Sequence, residues 1–430
     1  MNVWPRVYSF VFVPCLWVGF HVLALVNRKV RRGLRGRRTV VRNLEAFLAS
    51  RGSGPRLWVH ASSMGEFEQA KPIIEALKTE RPDLIVIATF FSPSGYENSL
   101  RYPHADHVTY IPFDTRRNAR AFLDVLQPDL AALIRYDLWP NHLWECSARG
   151  IPIVLTNATL RADSRRRTPG LRSFHRAVFN TMESILTVSA DDAANFASFY
   201  LSRPTIDAIG DTRYDRVASR ARAARSRRLL DATVTDNRHV LIAGSSWSED
   251  EEVLLPVLLA LRRRDPSLLA IIVPHEPTEA HLETLEYKLR GRAASIRFSY
   301  MNAWNGEPFI LVDSIGILLS LYAHADVAFV GGGFKSNVHN TLEPAAYGIP
   351  VVYGPKIGNS REARELSDAG GGFIVRSRRD LYRTLRTLFS GEEPRLRAGS
   401  LAGDFVHSRA GATARIVAHV LPYLDRRSRP

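Results

Sequence analysis

The sequence predicts an α/β chain of two doubly wound, Rossmann-like domains facing a cleft, preceded by a membrane-anchoring helix. Three observations carry this. Short apolar runs alternate with longer amphipathic segments from residue 57 onward; the alternation breaks after residue 215 and restarts near 239; and one long apolar run stands ahead of both. Strands that alternate with helix-length segments build a parallel sheet covered by helices on both faces.

The N-terminal run, Val7 to Val26, reads VYSFVFVPCLWVGFHVLALV. It has roughly the 20 apolar residues that a membrane helix needs, and Pro14 within it is tolerable there. NRKVRRGLRGRR follows, from Asn27 to Arg38. Positive charge on that side predicts that everything downstream stays in the cytoplasm. A cleaved signal peptide carries its charge before the apolar run instead. The whole chain has a formal net charge of +15, which favours anionic partners. Beside an apolar helix, such a basic collar suits an anionic membrane surface. No zinc finger or RNA-binding signature accompanies it, so nucleic acid is not the expected partner. The two cysteines, Cys15 and Cys146, form no disulfide framework or metal-ligand spacing.

The first half offers apolar runs at 57–60, 84–88, 130–134, 151–157 and 184–188. The second offers them at 239–244, 268–275, 308–314, 326–332 and 349–355. Between the halves, 216–238 is rich in Arg and Ala and reads as a helical linker. The expected division is therefore 1–38 (anchor and collar), 39–215, the linker, 239–400, and 401–430 (C-terminal helix and basic tail).

Ligands of open α/β sheets bind at the carboxyl ends of the strands, so the loops there are the candidates for chemistry. In Ala61-Ser62-Ser63-Met64-Gly65-Glu66, Glu66 stands at a helix start. It is either a general base or a carboxylate that only complements the helix dipole. Arg135-Tyr136-Asp137-Leu138-Trp139-Pro140-Asn141 is not a generic turn composition. In Gly210-Asp211-Thr212-Arg213, Arg213 either stabilises developing charge or makes a structural ion pair. The glycine triplet 331–333 permits close backbone approach, and Asn340 is positioned to cap a helix able to hold an anion. Glu343 then accepts ribose hydroxyls or merely completes a capping box. Pro274-His275 and Ile315-Gly316-Ile317 are smaller loops at the same ends of their strands.

Taken in order, these segments resemble the Kdo (3-deoxy-D-manno-oct-2-ulosonic acid) transferase family, of the GT-B fold. The matching motifs are HASSMGE (60–66), IPFD (111–114), DLWPN (137–141), GDTRYD (210–215), AGSSWSEDEE (243–252), DVAFVGGG (326–333), HNTLEPA (339–345) and IPVVYGP (349–355). The resemblance implies inverting, metal-independent transfer of Kdo from CMP-Kdo to a lipid A precursor, lipid IVA, at the inner membrane, with the catalytic domains cytoplasmic. It makes 39–215 the acceptor domain and 239–400 the CMP-Kdo domain. It implies Glu66 as the base and Arg213 as a stabiliser of the transition state. Pro274, His275, Ile315, Gly316, Ile317, Asn340, Thr341, Leu342 and Glu343 fall on its donor-binding segments.

The chain also departs from the family pattern. Arg135-Tyr136-Asp137 stands where members have Glu-Thr-Glu, which makes Arg135 and Asp137 candidate acceptor or auxiliary residues. His275-Glu276 replaces Arg-His, Gly316-Ile317-Leu318 replaces Gly-Glu-Leu, and Thr159 stands where Arg is frequent. A non-catalytic or altered-donor relative and a sugar-nucleotide epimerase are the alternatives; the anchor argues against the epimerase, whose substrate is soluble.

Overall fold

The computed structural model describes residues 3–226, 228–358 and 360–425; the basic tail expected beyond them lies outside the described residues. The chain forms two compact units, 1–216 with 410–430 and 217–409.

The first unit carries a seven-stranded sheet in the order β3-β2-β1-β4-β5-β6-β7. Its strands are β1 Arg56–Ala61, β2 Ile85–Phe90, β3 His107–Tyr110, β4 Leu130–Ile134, β5 Ile153–Ala158, β6 Ser184–Thr187 and β7 Thr205–Ala208. All neighbours pair in parallel. The central strands are buried on both faces, which is why they read as unbroken apolar runs. One core lies between the sheet and the helices at 116–126, 140–148 and 169–179, around Trp58, Phe122 and Phe179. The other seats the helix Met64–Glu80 and includes Ile416, Val417, Val420 and Leu424 of the last helix.

The second unit repeats the plan with β8 Val240–Ser246, β9 Leu269–Pro274, β10 Ser295–Arg297, β11 Phe309–Leu311, β12 Val327–Val330, β13 Val351–Tyr353 and β14 Gly372–Ile374. Their order is β10-β11-β9-β8-β12-β13-β14, again all parallel.

Two details differ from the expectations. The stretch expected as a linker begins inside a helix, Thr212–Arg225, and the boundary between units falls within that helix. The segment 401–430 divides: the helix Glu392–His407 belongs to the second unit, while Ala412–Asp425 returns to the first. There Asp215 of the GDTRYD motif accepts the backbone N–H groups of Gly411 (2.6 Å) and Thr413 (3.2 Å), tying down the start of that helix. The N-terminal helix, Trp4–Val26, is long and apolar enough to cross a membrane. It contains one π turn, in which Val13 N–H donates to the carbonyl of Tyr8, just before Pro14. Proline has no N–H to give, and the wider turn absorbs the irregularity.

Candidate active site

At the carboxyl end of the first sheet, the loop after β1 enters the helix Met64–Glu80 with Ser63 at its N-cap. The Ser63 side chain makes no capping bond. Instead Glu66, in the first turn, folds back and accepts the N–H of Ser62 at 2.5 Å. The same loop is clamped from the β2 side, where Ser92 N–H donates to the Ser62 carbonyl at 2.9 Å. Gly65 has open space where a Cβ would stand, so its use here is not tight packing.

Glu66 is only 7% exposed. Burial raises its pKa, and the charge of Asp137 raises it further, against the Ser62 hydrogen bond and His60, which lower it. Asp137 behaves in the opposite way. Burial disfavours its charge, but hydrogen bonds from His60, Ser62 and Trp139 outweigh that and hold it below the usual carboxylate range. His60 Nε2 lies 3.1 Å from Asp137 Oδ2, and Trp139 Nε1 donates to the same oxygen at 3.2 Å. An ionised carboxylate only accepts, so the shared proton sits on Nε2. Nδ1 of His60 meets the Thr89 hydroxyl at 2.9 Å, and Thr89 also accepts from Trp58 Nε1 at 2.8 Å. Two carboxylates whose environments push their pKa values apart are a recurrent arrangement for acid–base chemistry.

The helix that carries Glu66 also gathers the other candidates. Gln69 Oε1 accepts from Arg135 Nε at 2.9 Å, and the Gln69 carbonyl accepts from the Thr212 hydroxyl at 2.8 Å. Thr212 is held in turn by Asn157 near the end of β5, whose side-chain oxygen accepts its N–H at 3.0 Å. Next to it, Arg213 Nε donates to Asp211 at 2.8 Å, an ion pair with a buried carboxylate. Glu66, Arg135, Asp137 and Arg213 thus belong to one connected constellation. Arg135 adopts φ +65°, a left-handed conformation that is uncommon for a residue with a side chain. His60, Thr89, Gln69 and Asn157 complete the network and were not singled out by sequence reading. His60 sits inside a strand run, where an isolated polar residue carries no periodic signal.

In the second unit, the glycine triplet serves the protein's own packing. A Cβ at Gly331 would lie 2.3 Å from the Ser245 carbonyl, and one at Gly333 would lie 2.6 Å from Gly354 N. Asp250, fully buried, accepts N–H groups from Trp247 (3.0 Å), Gly332 (2.7 Å) and Phe334 (3.1 Å), locking the loops after β8 and β12 together. Burial raises its pKa against these three bonds. Three rings then cluster together. His275 stacks on His339 with centroids 4.3 Å apart, and Trp247 lies 4.7 Å from His275. Trp247 Nε1 donates to His339 Nε2 at 2.9 Å, and Lys335 Nζ sits 3.2 Å above the Trp247 ring. Burial first, then the like charges of His275 and Lys335, push the His339 pKa down to about 4.

This cluster joins the segments 274–275 and 339–341. The helix expected after Asn340 is a single turn, Leu342–Ala345, with Thr341 at its N-cap. Asn340 Oδ1 accepts the Leu342 N–H at 3.1 Å, so it caps that turn from one residue earlier than the N-cap. Thr341 and Leu342 are buried, and Glu343 lies 3.4 Å from Arg220. Ile315, 86% exposed, and Gly316 at φ +87° form an open turn after β11, and the helix beyond it is only Leu318–Leu321. Among the described residues, no three His, Cys, Asp or Glu side chains are grouped to hold a metal ion.

A family model described as 3-Deoxy-D-manno-octulosonic-acid transferase (kdotransferase) matches residues 33–216. The 3-deoxy-D-manno-octulosonic acid transferase of Haemophilus influenzae is 29% identical over 376 residues, covering 86% of this chain and 87% of that one. The Aquifex aeolicus protein of the same name is 25% identical over 338 residues, covering 78% and 86%. Among solved structures, UDP-GlcNAc 2-epimerase from Neisseria meningitidis superposes with a TM-score of 0.60 at 15% identity, over 85% of this chain and all of that one. At that identity the likeness shows a shared GT-B-like fold and nothing about substrate.

Proposed function

Because the chain belongs to the 3-deoxy-D-manno-octulosonic-acid (Kdo) transferase family, a group of glycosyltransferases of lipopolysaccharide synthesis, we propose that it moves Kdo from CMP-Kdo to lipid IVA with inversion. Glu66 acts as the base. It takes the proton of an acceptor sugar hydroxyl while that oxygen bonds to the anomeric carbon of Kdo. The bond from that carbon to the phosphate oxygen breaks in the same displacement, and CMP leaves with the electron pair. A base needs to be ionised at the working pH yet basic enough to accept a proton. The observation that carries the assignment is the pair of carboxylates: Glu66 buried with a raised pKa, and Asp137 beside it held ionised by His60.

Arg213 stabilises the charge that develops on the departing phosphate. The segments at 274–275, 315–317 and 340–343 bind the donor, and the transfer uses no metal ion. Support for the donor segments comes from the ring cluster that unites His275 with His339 and from the cation of Lys335 beside it. The experiment is incubation of the purified protein with CMP-Kdo and lipid IVA. Product mass should increase by whole Kdo residues, and the anomeric configuration should be opposite to that of the donor. Consumption of CMP-Kdo with an unchanged lipid would replace the acceptor, and no consumption by folded protein would discard the donor.

A further inference from the structure

The N-terminal helix is apolar nearly all round. Phe10, Val11, Trp17, Val18, Val22, Leu25 and Val26 are about half exposed or more. A helix of 23 residues measures about 35 Å, just enough to cross the roughly 30 Å of bilayer hydrocarbon. Crossing would require most of that length to stand clear of the folded unit. Instead, both of its ends are packed on that unit. Trp4 and Tyr8 pack on Phe174, with centroids 5.4 and 5.8 Å away, and Tyr8 also meets Trp144 edge-on. Ser9 donates to Asn141 Oδ1 at 2.8 Å. Towards the other end, Phe20 packs against Phe91 (5.5 Å) and Phe113 (6.0 Å), and Ala24 is buried. The first unit therefore holds the helix on one side near both of its ends, while residues 14–19 between them are exposed.

The positions of these contacts matter. Phe91 follows β2, Phe113 follows β3, and Asn141 lies in the first turn of the helix after β4, so the helix runs past the carboxyl ends of β3, β2 and β4. Asp114 fixes Asn141 for this use, since its backbone carbonyl accepts from Asn141 Nδ2 and its carboxylate accepts the N–H groups of Asn141 and His142. Asn27 then breaks the helix and caps the next, Arg28–Gly36, by accepting from Lys29 and Val30 N–H. That second helix sets Arg28, Lys29, Arg31, Arg32 and Arg35 beside the end of the apolar one. Arg37 leads back into the unit, its guanidinium 4.5 Å from the Phe91 ring. Phe91 stacks on Trp139 at 4.7 Å, and Trp139 donates to Asp137. A continuous line of contacts joins Phe20 of the apolar helix to the carboxylate next to Glu66.

We infer that this helix does not cross the bilayer but lies flat in one leaflet of an anionic membrane. Its free apolar side sits in the acyl region and the basic helix lies among the head groups, as amphipathic anchors do. A crossing helix would carry the polar starts of neighbouring helices into hydrocarbon, where unpaired backbone groups are strongly disfavoured. The flat arrangement brings the head-group layer to the edge of the first sheet that holds Glu66. If the transferase reading holds, that is the side from which a lipid acceptor arrives.

The test uses the full chain in sealed vesicles of phosphatidylethanolamine and phosphatidylglycerol, with spin labels on the exposed native Cys15 and, in a Cys15→Ala background, on Val26→Cys. Cys146 is buried and stays in place. A flat helix puts both labels at the same depth; a crossing helix puts Cys15 much deeper than position 26, and that result overturns the inference. Val3→Cys provides a second reading. Labelling by an impermeant thiol reagent trapped in the lumen, in vesicles whose Tyr287→Cys control is labelled only from outside, likewise overturns it. Failure to react with the trapped reagent supports it. Neither measurement involves CMP-Kdo, so the outcome is independent of whether the protein transfers Kdo.

Discussion

His60 Nε2 lies 3.1 Å from Asp137 Oδ2, which joins strand β1 to the loop after its neighbour β4 through one proton. Both groups act on Glu66 with opposite sign: His60 lowers its pKa and Asp137 raises it. His60→Ala should therefore move the acid limb of the kcat/KM–pH profile upward, and Asp137→Asn should move it downward. Profiles of the two variants beside wild type check this. Shifts in the same direction would mean that the pair acts only by holding the loop in place.

Glu66 also makes the protein's stability depend on pH. Its folded pKa lies above the unfolded value of about 4.3, so ionisation opposes folding. The penalty is absent below the unfolded value, grows as pH rises through the folded one, and is constant above it. Glu66→Gln keeps an oxygen for the Ser62 N–H and removes the penalty. The variant is expected to unfold at a higher temperature than wild type at pH 7, with the difference vanishing below pH of about 4. Calorimetry at both pH values reads this directly.

Asp250 holds three backbone N–H groups across two loops of the second unit. Asp250→Ala leaves them unpaired and should destabilise that unit by about 2–4 kcal/mol, after allowing for relief of the carboxylate's own burial. Denaturant unfolding followed by Trp247 fluorescence measures the loss, and CMP binding should weaken with it.

His339 should remain neutral through the physiological range and titrate near pH 4, with the proton on Nδ1 because Nε2 accepts from Trp247. Heteronuclear NMR of the imidazole nitrogens gives both the tautomer and the titration midpoint. In Trp247→Phe the ring cluster survives without its N–H donor, and the Nε2 shift should change while the protein stays folded.

Transfer should be unchanged after dialysis against EDTA, since the reaction as proposed draws its base from Glu66 and its cation from Arg213. A rate that falls with chelator and returns with a divalent ion would contradict that.

The buried framework was legible and its margins were not. Each strand that went unread, β3, β7, β10 and β14, is an edge strand of its sheet. Edges pair on one side only and can be short, as with Ser295–Arg297 and Gly372–Ile374, or largely exposed, as with Thr205–Ala208. None leaves a run of apolar residues long enough to recognise. The return of Ala412–Asp425 to the first unit was hidden for another reason. Its partners Phe67 and Ile74 lie far back in the chain, and periodicity reveals a helix face but not what covers it. In the site, Glu66 and Arg213 stood out as charged residues in small-residue loops after strands. Gln69 and Asn157, which connect them, look like ordinary polar residues of a helix and a strand end. The glycine triplet was visible, but only the structure shows that it accommodates neighbouring backbone.

The central claim is that Glu66 is the base, and the most direct measurement is the single-turnover rate of Glu66→Gln with CMP-Kdo and lipid IVA, alongside its affinity for the donor. General base catalysis contributes roughly 10²–10⁴-fold. The expected result is a loss of that size with donor affinity unchanged and a folded protein. A variant that retained transfer within about tenfold of wild type, well short of that contribution, would contradict the assignment and move the base elsewhere in the constellation.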